Sequence, residues 1–296
     1  MKPCFAAGLL LLSLVCAPGQ TNCPVTRTED VIYGRKFGTA LTLDVLQPTK
    51  PNGAGIVAII SGGWVSAHQN INPARYQPLL NRGYTVFAVV HGCQPKFVVT
   101  EIVQDIHRAV RFIRHNAARY GVDPQRLGVI GSSAGGHLTL TMATQGGPGN
   151  PEARDPVDRD SSAVQCAACF YPAADFLNFS QPGEDAVGIG RMAQFKGGFG
   201  PLCETPEGRQ KLGREISPIY FVHSNMPPVL IIHGEADKLV PIYQSEIFVK
   251  RCAEMGNTAK LVPREGKGHG WAEMAGDVEV LADWFDQYLR GLPSKP

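Results

Sequence analysis

Three short stretches of this chain carry side chains suited to acyl-transfer chemistry. The first is Gly131-Ser132-Ser133-Ala134-Gly135, which lies between an apolar run over 126–130 and a segment with helical spacing. A serine hydroxyl becomes a useful nucleophile only when it is exposed and a base can take its proton. A sharp strand-to-helix turn exposes it, and such a turn has no room for side chains two positions either side of its apex. Gly131 and Gly135 therefore place Ser133 at the apex. Ser132 is the rival, but the residue two before it is Ile130, which would clash. The second stretch is His233-Gly-Glu-Ala-Asp237-Lys-Leu-Val-Pro241, where Asp237 follows an apolar run in a turn before a helix. The third is Glu265-Gly-Lys-Gly-His269-Gly-Trp271, a histidine in a glycine-rich loop. His269 would take the Ser133 proton, and Asp237 would fix the imidazole tautomer and steady its positive form. Glu235 is the rival acid. His68, His91, His137 and His233 also fall near strand ends, where hydrogen bonding or packing accounts for them.

Attack on a carbonyl also needs donors for the oxyanion. Ser61-Gly62-Gly63-Trp64 follows an apolar run two strands before the serine, and glycines there allow close backbone approach. The donors are assigned to the N–H groups of Gly63 and Ala134, with Gly62 or Trp64 as a further one.

The elements that must hold these residues alternate along the chain. Residues 29–46 read as a pair of edge strands, and 56–60 as a strand buried on both faces. A helix over 73–82 closed by Gly83, a strand over 84–90 and a helix over 101–120 ended by Gly121 follow. After the serine comes a surface loop over 145–160, then a strand over 164–171. Residues 172–218 show no sustained periodicity and read as a cap-like insertion. Phe176, Phe179, Phe195 and Phe199 in it either line a pocket or anchor the cap. A strand over 228–233, a helix over 242–255, a strand over 259–262 and a helix over 277–289 complete the chain. The pattern is α/β, with a mostly parallel central sheet, helices on both faces and ligands beyond the carboxyl ends of the strands. Serine, acid and histidine in that chain order is the order of the α/β-hydrolase fold.

The 28 basic and 26 acidic residues leave a net charge of +2, with no basic stripe to suggest nucleic acid and no second apolar stretch long enough for a membrane span. At the start, Lys2 and the apolar run over 5–15 are too short for a span and read as a secretory signal over 1–19, with cleavage after Ala17-x-Gly19. A lipid anchor at Cys16 and a buried N-terminal helix are the competing readings. Residues 20–296 then form one catalytic domain, outside the cytoplasm. Six cysteines remain in it, for which 15 pairings exist. Cys166-Ala-Ala-Cys169 has a metal-like or redox-like spacing but no second pair and no histidine partners, so both read as buried strand residues.

The Ser133, Asp237 and His269 motifs resemble those of the α/β-hydrolase esterases related to hormone-sensitive lipase. The nearest subgroup is the bifunctional feruloyl and acetyl xylan esterase-like family, and the resemblance runs from about Tyr33 to Leu289. One departure stands out. That family usually shows His-Gly-Gly at the oxyanion turn, where the histidine supports the turn, and this chain has Ser61-Gly62-Gly63-Trp64. The resemblance implies a serine esterase without metal or organic cofactor, acting on acetyl or feruloyl esters linked to carbohydrate. Two other readings are a prolyl-oligopeptidase-like peptidase, for whose propeller there are too few residues before Ile56, and a binding module, which would tend to have lost triad members. Oligomeric state is left open.

Overall fold

The computed structural model describes residues 23–293, so the expected signal over 1–19 lies outside the described residues. Runs of apolar residues with no polar alternation can be satisfied only where a strand is covered on both faces. Five such runs form the centre of one eight-stranded sheet. Its strands are β1 (Val25–Lys36), β2 (Thr39–Pro48), β3 (Gly55–Ile60), β4 (Thr85–Val90), β5 (Leu127–Ser132), β6 (Cys166–Phe170), β7 (Val229–Gly234) and β8 (Ala259–Arg264), in the order β1-β2-β4-β3-β5-β6-β7-β8. Strand β2 is antiparallel to β1 and β4, and every later pairing is parallel. Side chains alternate across each strand, so the sheet separates two cores. On one face Val57, Val129 and Ile231 meet Ile102, Ile106, Leu138 and Phe248. On the other, Ile56, Ile130 and Ile232 meet Leu79, Val278 and Phe285.

Those helical residues belong to α1 (Gln77–Asn81), α2 (Val99–His115), α3 (Ala134–Gln145), α6 (Tyr243–Glu254) and α7 (Met274–Arg290), and α4 (Lys196–Phe199) and α5 (Pro206–Ile216) lie in the insertion. The helix expected over 73–82 is split. A 3-10 turn over Pro73–Tyr76 precedes the short α1, where Pro78 sits in the first turn. The helix expected over 101–120 is α2 up to His115, and a separate turn over Ala117–Tyr120 ends at Gly121, whose φ of 62° is the left-handed closure that glycine favours. The insertion carries one regular helix that its sequence did not announce. Helix α5 is capped by the Thr205 hydroxyl, which accepts from the Gly208 N–H at 3.1 Å. Gly213 interrupts its apolar pattern because a Cβ there would come within 2.4 Å of the Leu177 side chain.

The insertion packs over α3 and buries that helix on every side from Ala134 to Thr144. Its polar side chains are therefore satisfied internally: Thr139 donates to the Gly135 carbonyl, Thr141 to His137 and Thr144 to Leu140. Phe176, Phe179 and Phe199 are buried as anchors of the insertion. Cys166 and Cys169, three apart on β6, face opposite cores, so they cannot hold one ion between them. The six cysteines of the described residues are free thiols.

Three buried histidines link this fold to pH. Burial pushes His91, His107 and His137 down to about 4, from an ordinary value of 6.5. Between those values the unfolded chain binds more protons than the folded one, so the stability these groups allow is complete above about pH 6.5 and is lost as pH falls. Urea midpoints measured across that window should fall steadily with acidification.

Candidate active site

Strand β5 ends at Ser132, and Ser133 sits at the apex of the turn into α3 with φ 55° and ψ −118°. That conformation is costly for a residue with a Cβ and is held by the packing around it. A Cβ on Gly131 would lie 2.3 Å from the Gly135 carbonyl oxygen, and one on Gly135 would lie 2.8 Å from the Ile59 carbonyl oxygen. The two glycines are thus required by close backbone approach, as the spacing implied. Trp64 (φ 59°) and Tyr171 (φ 36°) are also in the left-handed region, so three of the six described non-glycine residues with positive φ surround this point.

Ser133 Oγ lies 2.8 Å from His269 Nε2, and His269 Nδ1 lies 2.7 Å from Asp237 Oδ2. With Nδ1–H donating to the carboxylate, Nε2 is the acceptor for the serine hydroxyl. Asp237 is fixed by several contacts at the end of β7. Its Oδ1 accepts from the N–H groups of Leu239 and Val240 at 2.9 and 3.0 Å. His233 Nε2 lies 3.4 Å from Oδ2. His233 donates that N–H to the Val240 carbonyl at 2.9 Å, so its Nδ1 accepts from the Ser245 hydroxyl at 2.7 Å. Burial would raise the Asp237 pKa, but the hydrogen bonds from His233 and His269 and the His269 charge outweigh it and hold the carboxyl well below its usual range. Glu235 is exposed, on the outer side of the same turn. The acid and histidine loops are tied by the Ala236 N–H, which donates to the Lys267 carbonyl at 2.9 Å. Gly234 permits this, since a Cβ there would come within 2.3 Å of that oxygen.

The oxyanion turn is also explicit. Gly62 and Val65 exchange backbone hydrogen bonds of 3.0 Å, with Gly63 (φ 55°) and Trp64 between them, as in a type I′ turn. The Gly62 N–H is therefore taken by Val65. That removes Gly62 from the donors named above. Among the described residues no carbonyl accepts from Gly63 or Trp64 N–H. Gln94 side-chain nitrogen donates to the Gly63 carbonyl and its backbone N–H to the Trp64 carbonyl. Because a trans peptide points its N–H opposite to its C=O, anchoring the Gly63 carbonyl on Gln94 turns the Trp64 N–H the other way. The Ala134 N–H, at the first position of α3, has no partner within its own helix. Gly63, Trp64, Ser133 and Ala134 line one small cavity of about 20 Å³, room for about one water-sized group, whose other walls are Ala173, Met192, Phe195, Leu239 and Val240.

Support for the turn comes from Trp64 itself. Its indole N–H donates to His137 Nδ1 at 3.3 Å, while His137 Nε2 donates to the Ile216 carbonyl at 2.7 Å. Phe176, Phe195 and Phe199 pack around the indole, with centroids 5.3 to 6.0 Å away. The contact from the insertion to the oxyanion turn thus runs through a buried histidine that stays neutral, its pKa lowered to about 4 by burial. His137→Leu would leave both the indole N–H and the Ile216 carbonyl unpaired. Denaturant unfolding of that variant should show a loss of about 1–3 kcal/mol.

Several residues at the site gave no sequence signal. Tyr171 places its ring 4.5 Å from that of His269, and Gln94 lies in a loop with no motif. His233 sits in the motif and reads from sequence as a hydrogen-bonding or packing residue; it also braces the acid.

With this geometry in place, the likenesses to other proteins are informative. Residues 43–252 match the family described as BD-FAE. Esterase LipQ of Mycobacterium tuberculosis is 29% identical over 292 residues, covering 94% of this chain and 66% of that protein. The chain spans 52–66% of the length of the first curated relatives it matches. A solved structure, the truncated form of carbohydrate esterase from gut microbiota, has a TM-score of 0.75 at 23% identity and covers 92% of this chain and 99% of its own. Thermogutta terrifontis esterase 2 phosphonylated by sarin has a TM-score of 0.69 at 26% identity, covering 94% and 99%. The eight-stranded, mostly parallel sheet with helices on both faces is the fold those esterases share.

Proposed function

This chain belongs to the BD-FAE family and has the α/β-hydrolase fold, and from that premise we propose that it is a serine carboxylic-ester hydrolase acting on short acyl groups attached to carbohydrate, outside the cytoplasm. The observation that carries the reading is the continuous hydrogen-bonded line from Ser133 Oγ through His269 to Asp237. Ser133 attacks the ester carbonyl as its proton passes to His269 Nε2, and the negative oxygen faces the N–H groups of Gly63, Trp64 and Ala134. His269 then returns the proton to the departing alcohol. A water, activated by His269 in turn, releases the acid from the acyl-enzyme. Each oxyanion donor in such a site is worth roughly 2.7–4 kcal/mol of barrier. No step calls on a metal or organic cofactor.

The acyl preference rests on the cavity beside Ser133. At about 20 Å³ it holds the methyl of an acetyl group, and longer chains must displace Met192 or Phe195. This favours acetyl over the bulkier feruloyl group. The carbohydrate alcohol is drawn from the resemblance and from the carbohydrate esterase that shares the fold. The export is drawn from the apolar N-terminal run.

The test is hydrolysis of aryl acetate, butyrate and octanoate, together with acetate release from acetylated xylan. Rates should fall steeply from acetate to octanoate. Equal rates across the three would refute the short-acyl reading, and no turnover by the folded protein would refute the esterase reading. Since the Thermogutta relative is phosphonylated by sarin, an organophosphorus ester should add once to this chain, at Ser133, as mass spectrometry would read.

A further inference from the structure

A second and larger cavity opens at the carboxyl ends of the strands. It is a cleft of about 510 Å³ at the carboxyl ends of β3, β5 and β6, walled on its outer side by the 3-10 turn over Pro73–Tyr76 and by the start of α7. Gly62 and Ser132 line the large cleft, and the residues immediately after them, Gly63 and Ser133, line the small cavity. The two linings thus meet at the oxyanion turn and at the turn that carries the nucleophile. With the acyl group in the small one, the alcohol lies in the large one.

The chemistry of the cleft is uneven. Its floor is apolar, formed by Ile130, Phe170 and Val278, but its rim carries Asn70, Asn72 and Arg75. The Asn72 side-chain carbonyl oxygen accepts from the Ala74 N–H at 3.1 Å, which leaves its amide NH₂ for a ligand. Ser61 Oγ, also in the lining, is buried without a partner among the described residues. Arg75 is exposed, and among the described residues its guanidinium makes no hydrogen bond and no ion pair. No Asp or Glu lines the cleft. Of the acids that flank these lining residues, Asp277 already accepts from Trp271 Nε1 at 2.7 Å and from Arg264 at 2.8 Å, and Glu273 pairs with Lys267 at 3.0 Å. Burial raises the pKa of the Tyr171 hydroxyl, and the Arg75 charge is close enough to oppose that rise. Arg75 thus directs an uncompensated positive charge at the side of the site where the alcohol leaves.

We infer that the alcohol portion of the substrate is anionic: a hydroxylated group bearing a carboxylate, such as an acylated sugar acid, whose carboxylate pairs with Arg75 and whose hydroxyls meet Asn70 and Asn72. This rests on the ester-hydrolase reading and adds a substrate class to it. Arg75 is then a specificity-determining residue. An interaction made equally in the ground and transition states appears mainly in KM.

The experiment compares 4-acetoxybenzoate with its neutral analogue 4-acetoxybenzamide, in the wild-type protein and in Arg75→Gln. The kcat/KM ratio of charged to neutral ester should favour the charged one in the wild type. In Arg75→Gln that ratio should drop by about fivefold, chiefly through KM, and the wild-type preference should shrink as added salt screens the pair. A ratio that stays the same in Arg75→Gln overturns the inference while leaving the esterase intact. If the wild type cleaves neither ester, calorimetric titration of the folded protein with glucuronate and glucose decides. Binding of glucuronate alone, lost in Arg75→Gln, keeps the anion site and discards the esterase reading. Binding of neither sugar discards both.

Discussion

Ser133→Ala should lower kcat for aryl acetates by about 10⁴-fold or more, with the fold retained. The size follows from what the substitution removes. His269 and Asp237 remain paired at 2.7 Å, and Gly63, Trp64 and Ala134 still line the small cavity, but no atom is left to form the acyl-enzyme. Residual turnover would come from the oxyanion donors and bound water alone. Alanine keeps the Cβ, so the strain at φ 55° persists and denaturant stability should change little. Ser133→Gly makes a sharper test, because glycine accepts that φ without cost. It should be equally inactive and more resistant to urea by about 1 kcal/mol. Ser132→Ala serves as the comparator. Ser132 is held in the β5–β6 ladder opposite Phe170, and among the described residues His269 hydrogen-bonds to Ser133 and Asp237 rather than to Ser132, so most of the activity should survive. If Ser132→Ala were the inactive variant, the assignment of the turn would be wrong.

How much of this was legible in the sequence depended on the range of the forces involved. The elbow around Ser133 could be read because backbone crowding is local: Gly131 and Gly135 are needed by atoms within a few residues of themselves or in the next strand. Strands β3 to β7 could be read because burial on both faces leaves an unbroken apolar run. Helix α5 could not, because two glycines and a mostly polar surface conceal a helix whose buried side is narrow, made of Gly208, Leu212, Gly213 and Ile216. The grouping of Gly62 with the oxyanion donors failed for a different reason. Sequence places three N–H groups at one turn, but only the turn's hydrogen bonding shows that Val65 takes the first of them. Gln94, Tyr171 and His137 act across 30 to 100 residues of sequence, where spacing carries no information. The absence of a histidine before Gly62 is answered at such a distance, by the Trp64 indole resting on His137.

Asp237→Asn should cost about 10³–10⁴ in kcat/KM even though the side chain has the same shape. The reason lies in which atoms of the carboxylate are already committed. Oδ1 accepts from the N–H groups of Leu239 and Val240, so an asparagine keeps its carbonyl oxygen there. Its amide nitrogen then faces His269 Nδ1, where the carboxylate oxygen stood. Two donors cannot share that contact, so His269 must move its proton to Nε2 and present an N–H to Ser133 Oγ. An imidazole in that tautomer cannot take the serine proton. The same amide would meet the His233 Nε2–H, but His233 can still donate to the Val240 carbonyl, so the turn should fold. The acid is also held ionised by these contacts, against the effect of its burial. A loss of activity in weakly acidic buffer would therefore not arise from protonation of Asp237. Glu235→Gln should alter kcat/KM by less than about twofold, since an exposed side chain outside the relay has little to lose. Equal losses in the two variants would mean that the orienting role does not belong to Asp237, and the relay from Ser133 would need another acid.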